Sequence, residues 1–215
     1  MQPLAFPASD PEWKMNESKR HALICDLVYR LFKDVVGDAS AVACDQFVYF
    51  DGEDPKNRLA PDAFVKLGVK DSLFDSWKTW ELGSPELCVE ILSPSDTGEY
   101  LPLKTKMTRY RTLGVQELIL FDMEREPGSR LRAFDRIDGD LVERVVDAET
   151  TPCVVLTNAY DARFDWFVAP ADDIPLALRL KKDDVMMQTT TERLDAMRAH
   201  NQALERELAK LKKKR

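Results

Sequence analysis

Residues 87–122 read LCVEILSPSDTGEYLPLKTKMTRYRTLGVQELILFD. Positions 87–92 are apolar apart from Glu90, the pattern of a short strand covered on both faces. Positions 103–113 read as a helix, and Gly114 suits the left-handed cap that closes it. QELILFD at 116–122 is strand-like again. Strand, helix and strand in this order make a βαβ crossover, which joins parallel strands and is expected to be right-handed.

Working outward, the first fifteen residues hold three prolines and read as an extended lead-in. A helix is expected after Asn16 as its N-cap, with Leu23, Ile24, Leu27, Val28, Leu31 and Val35 as its apolar stripe and Gly37 as its stop. Residues 39–50 turn to β-type chemistry, 59–67 read as a strand, and 130–146 as a hairpin turning at Asp138-Gly139. Between the strands at 59–67 and 87–92, DSLFDSWKTWELGSP reads as a helical turn or loop. Short strands are expected at 152–156 and 163–168. The sum is a mixed sheet flanked by helices, the α/β or α+β class.

From Met187 the pattern changes. Met187, Thr190, Leu194, Met197, Asn201, Leu204, Leu208 and Leu211 alternate spacings of three and four, a heptad seam with Asn201 at an a position. That favours a parallel two-stranded homodimer; an amphipathic helix folded back on the body is the other reading. The chain is thus expected to divide into a body at 1–185 and a C-terminal coiled-coil helix at 186–215.

Net charge is −7, unevenly spread: residues 191–215 carry +4 and the rest −11. This excludes broad, non-specific attraction to nucleic acid and leaves room for a locally basic site. No apolar run nears the roughly 18 residues that span a membrane. The N-terminus lacks the basic start and apolar stretch of a secretory signal, so a cytoplasmic protein is expected. Cys25, Cys44, Cys88 and Cys153 lie far apart without CxxC spacing, and read as small buried residues of a reducing compartment rather than zinc ligands.

Three residues stand out by setting: Asp62 in LAPDAFV, Glu90 in CVEIL and Lys106 in KTKMTRY. A carboxylate in a buried strand is costly unless it is paired, hydrogen-bonded or bound to a cation. Two on neighbouring strands can share a hard divalent ion such as Mg²⁺. By alternation Cys88, Glu90 and Leu92 share one strand face. On residues alone, Asp62 can equally be a strand-edge residue and Glu90 a partner for a helix cation. Lys106 rather than Lys104 flanks the buried side of its helix, one turn from Leu103 and Tyr110. In the first helix Glu17 and His21 lie one turn apart, so Glu17 could approach the metal or remain a solvated first-turn acid. Lys104, Lys106, Arg109 and Arg111 make the helix at 103–113 locally basic, and Trp77 and Trp80 read better as core than as base-stacking platforms.

Taken together, PDAFV, W..G.PEL, CVEILSPSDT and K...Y..LGVQELILFD resemble the Uma-type family of bacterial endonucleases in the PD-(D/E)xK nuclease superfamily. The resemblance covers roughly residues 15–170. It implies a restriction-endonuclease-like core, with Asp62, Glu90 and the backbone carbonyl of Ile91 as ligands of Mg²⁺ or Mn²⁺. The superfamily's usual lysine, two residues after the glutamate, is replaced by Leu92; in the Uma-type branch it moves into the next helix, four residues before a tyrosine, which maps to Lys106 and Tyr110. This chain departs from the branch in having Pro102 where an acid is common, with Glu99 or Asp96 as substitutes.

The resemblance implies metal-dependent hydrolysis of phosphodiester bonds, with DNA as substrate. The rival reading is a catalytically inactive module that keeps the fold and binds protein or nucleic acid through its coiled coil. A glycosidase would also use two carboxylates, but no aromatic sugar platform is evident.

Overall fold

The computed structural model describes residues 18–92 and 102–213. Its centre is a six-stranded sheet in the order β1-β4-β6-β7-β8-β9, with strands Ala41–Ala43 (β1), Ala63–Lys66 (β4), Leu87–Leu92 (β6), Glu117–Asp122 (β7), Leu131–Ile137 (β8) and Asp140–Arg144 (β9). β6 and β7 pair in parallel through the crossover helix α3 (Leu103–Leu113), and the other neighbours pair antiparallel. Gly114 closes α3 at φ 87°, a left-handed conformation that strains residues with a Cβ. The mixed α+β class expected from the sequence is the one observed.

Each face of this sheet has its own core. Ala63, Val65, Leu87, Val89, Ile91, Ile119 and Phe121 pack on α1 (Lys19–Val36) and on a second, four-stranded sheet. That sheet comprises Thr150–Pro152 (β10), Phe164–Ala171 (β11), Ile174–Lys182 (β12) and Val185–Met186 (β13). On the other face Phe64, Cys88, Leu118 and Leu120 pack on Tyr110 and Leu113 of α3. A small sheet of Val48–Tyr49 (β2), Arg58–Leu59 (β3) and Trp77–Lys78 (β5) completes that layer. β6 is therefore covered on both sides, as its apolar sequence requires.

Several expectations need correction. α1 starts at Ser18, whose hydroxyl accepts from the His21 N–H; Asn16 lies outside the described residues. Leu23 is exposed, while Cys25, Phe32 and Val36 join the buried stripe. The strand expected at 59–67 is two strands, β3 and β4, broken at Pro61-Asp62. Residues 152–156 are the end of β10 and the start of a helix, Val154–Ala159 (α4). Trp77 is core, edge-on to Phe64 and Phe74, whereas Trp80, in the short helix Thr79–Leu82 (α2), is 45% exposed.

The last helix, α5 (Thr190–Lys213), starts at a reciprocal cap: the Glu192 N–H donates to Thr189 Oγ1 and the Thr189 N–H to Glu192 Oε2. The same carboxylate takes a two-pronged bond from Arg179, a fully buried β12 guanidinium, at 2.7 and 2.8 Å. Beyond this anchor Leu194, Met197, Leu204, Leu208 and Leu211 stay exposed, so the seam is not folded back on the body.

Candidate active site

The site grows from the junction of β4 and β6. Their register sets Ala63 against Val89, which places Asp62, the residue just before β4, across from Glu90. The Asp45 N–H donates to the Pro61 carbonyl, which fixes the chain where it turns into β4. Both acids are buried, Asp62 at 6% and Glu90 at 3% exposure. Alternation along β6 sends Glu90 to the face of Cys88, beneath α3, as the sequence implies.

Two α3 side chains one turn apart grip Glu90. Lys106 Nζ donates to Oε2 at 3.0 Å, and the Tyr110 hydroxyl donates to Oε1. Tyr110 is fully buried, and burial together with the Glu90 charge raises its hydroxyl well above the ordinary value. Lys104, by contrast, is exposed. Arg109 donates to the Arg58 carbonyl and Arg111 pairs with Asp140, so much of the basic helix is occupied.

Asp62 is held from two other directions. Its Oδ2 accepts the Ile91 N–H at 2.5 Å, and its Oδ1 lies 3.3 Å from His21 Nε2. In a strand the N–H and C=O of one residue point to the same neighbour. The Ile91 carbonyl therefore also faces the β4 side, where Asp62 lies. Burial lifts the Asp62 carboxyl to about 6; the hydrogen bond from His21 opposes this, and the Glu90 charge adds to it.

A buried carboxyl that burial and a neighbouring carboxylate push toward its protonated form, as Asp62 is, is short of positive charge, and the donors are oxygens, which suits a hard divalent ion. Asp62, Glu90 and the Ile91 carbonyl are the residues that could hold one.

Of the expected site residues, Asp62, Glu90, Ile91, Lys106 and Tyr110 come together. Glu17 lies outside the described residues, as do Asp96 and Glu99. The sequence reading passed over Cys25, whose Sγ is 3.6 Å from His21 Nδ1 and whose thiol burial pushes up to about 12. The available signal was His21-x-x-x-Cys25, one helical turn between two ligating residues.

Comparison with known proteins bears on this geometry. The Uma2 family model, described as "Putative restriction endonuclease", matches residues 13–161. No curated protein matches the chain. Among solved structures, the chain is similar to the crystal structure of "a putative nuclease belonging to DUF820" from Anabaena variabilis ATCC 29413. Identity there is 14%, with 68% of this chain and 79% of that chain covered and a TM-score of 0.45. No helix among the described residues is long and apolar enough to cross a membrane. With the family model covering well over half its length, the chain belongs to the Uma2 family.

Proposed function

We propose that this chain is a divalent-metal-dependent endonuclease that hydrolyses phosphodiester bonds of DNA. The observation that carries this reading is the pair Asp62 and Glu90, buried across two adjacent strands, with a lysine from the crossover helix on Glu90. Asp62, Glu90 and the Ile91 carbonyl would hold Mg²⁺ or Mn²⁺. Such an ion supplies polarisation of the phosphate and a lower pKa for the attacking water.

The side chains do the rest. Lys106 places positive charge beside Glu90, where it stabilises negative charge developing on the phosphate. The Tyr110 hydroxyl holds Glu90 in one rotamer by donating to Oε1. The Ile91 N–H does the same for Asp62 through Oδ2. Burial of both acids keeps bulk water from the carboxylates, which strengthens every charge interaction there.

The body, 1–185, would carry the chemistry, and 186–215 would pair two copies in parallel with Asn201 facing its counterpart. The exposed seam of α5 supports this. A cytoplasmic setting fits the four free cysteines.

One observation favours the rival reading of an inactive binding module. Both Glu90 oxygens already have protein partners, as in a purely structural ion pair. Incubation with supercoiled DNA, single-stranded DNA and RNA, each with Mg²⁺, Mn²⁺ or chelator, separates the two. Metal-dependent cleavage of DNA that Asp62→Ala removes is the expected result. Cleavage of no form, or cleavage indifferent to Asp62→Ala, overturns the proposal.

A further inference from the structure

On the α1 side of Asp62 sits a second group of ligating atoms that phosphodiester chemistry does not use. His21 and Cys25 are one turn apart, so both leave α1 on the face that packs against the central sheet. His21 Nε2 is 3.3 Å from Asp62 Oδ1, and Cys25 Sγ is 3.6 Å from His21 Nδ1 and 3.9 Å from Nε2. One ligand atom from each of the three lies within 4.8 Å of the others, and all three residues are buried. We propose that His21, Cys25 and Asp62 form a binding site for a borderline-soft divalent cation of the zinc or cobalt class, one that shares Asp62 with the proposed hard-cation site.

The spacing fits such an ion. Tetrahedral zinc with bonds of about 2.0–2.1 Å to nitrogen, 2.0–2.2 Å to oxygen and 2.3 Å to sulfur sets N and O roughly 3.3 Å apart and N and S roughly 3.6 Å apart. From His21 Nε2 the distances to Asp62 Oδ1 and Cys25 Sγ, 3.3 and 3.9 Å, lie within a few tenths of an ångström of these values, and all three ligand atoms lie within 4.8 Å of one another. A simple thiol–imidazole hydrogen bond describes the cluster less well. Sγ is almost equidistant from the two ring nitrogens, at 3.6 and 3.9 Å, so it is committed to neither.

Charge and access agree. A thiolate and a carboxylate neutralise a dication while the imidazole stays neutral, so the occupied site carries no net charge into the protein interior. On binding, the Cys25 S–H bond breaks, the metal–sulfur bond forms and the proton leaves to solvent. Cys25 borders a cleft of about 510 Å³, lined also by Ala22, Cys44, Asp45 and Gln46, through which a hydrated ion can reach it. Magnesium does not take such a donor set, because it demands oxygen ligands.

The site does not depend on the nuclease reading, and the test keeps the two apart. Reduced, metal-stripped full-length protein is titrated with Co²⁺ and followed by absorption. One equivalent should produce a near-ultraviolet thiolate-to-cobalt band, displaced by Zn²⁺, retained in Glu90→Gln and in Cys44→Ser, and lost in Cys25→Ser. No thiolate band, or a band that Glu90→Gln or Cys44→Ser removes while Cys25→Ser keeps it, overturns the proposal. Should Cys25→Ser fail to fold, X-ray absorption of the wild-type protein with one Zn²⁺ decides. One sulfur neighbour at about 2.3 Å is expected, and a shell of nitrogen and oxygen alone overturns it.

Discussion

Lys106 Nζ stands 3.0 Å from Glu90 Oε2, so the crossover helix returns a cation to the one charged residue of the strand it leaves. Lys104, two residues earlier, is turned by about 200° and is exposed.

Lys106→Met should lower DNA cleavage by roughly 10²–10³-fold, the range seen when one group stabilising transition-state charge is removed. Lys104→Met should cleave normally. Because Glu90 is buried, Lys106→Met should also destabilise the metal-free protein by about 3 kcal/mol, and Mg²⁺ at saturation should restore most of that. Melting curves with and without metal, beside cleavage rates, check this. A dead Lys104→Met would reverse the assignment.

Asp62 makes a pH prediction of definite sign. Its carboxyl is raised from 3.8 to about 6, first by burial and further by Glu90, with His21 opposing. Between these values the folded protein keeps a proton that the unfolded chain has released. The contribution of Asp62 to the stability of the metal-free protein should therefore be complete below the lower value and be lost as pH rises through about 6. Asp62→Asn should flatten that slope in denaturant titrations. Affinity for Mg²⁺ should rise over the same interval, since the ion needs the ionised carboxylate.

The clamp between Arg179 and Glu192 predicts a stability effect far from the site. Glu192→Ala leaves the Arg179 guanidinium buried without its carboxylate and removes a helix cap. A loss of about 3 kcal/mol follows from the first effect. Chemical denaturation should show it with the slope against denaturant unchanged.

These particulars mark what could be read in the residues. β6, α3 and β7 were legible nearly to the residue, because a buried strand, a glycine-capped helix and a second apolar run have local signatures. β12 was missed because its core row includes Arg179, whose burial makes sense only once Glu192 is beside it. Val154, Val155 and Leu156 look strand-like, yet they open α4, where Val155 N–H donates to the buried Glu117 carboxylate. Asp62, Glu90 and Lys106 could be picked out by charge in apolar surroundings and by resemblance. The approach of His21 and Cys25 to Asp62 depends on how α1 docks, which no local pattern carries.

The exposed seam of α5 gives a prediction for assembly. Leu204→Asp, at a position exposed in the single chain, should convert a dimer into monomer without lowering the melting temperature of the body. Sedimentation of the wild type, of Leu204→Asp and of a chain ending at residue 193, which keeps the Glu192 clamp, checks this. A wild-type monomer at high concentration would rule out the parallel pairing.

In the proposed function Asp62 and Glu90 act together as one metal-dependent hydrolytic centre. Glu90→Gln keeps the size of the side chain and the hydrogen bond from Tyr110 while removing the charge. The initial rate of supercoiled-plasmid cleavage, measured with Mg²⁺ and Mn²⁺ for wild type and Glu90→Gln under identical conditions, is the direct measurement. Wild type is expected to cleave only with metal, and Glu90→Gln, still folded, to fall at least 100-fold, in line with loss of a metal-held catalytic water. Equal rates in the two proteins, or cleavage by wild type that persists in excess chelator, would contradict it.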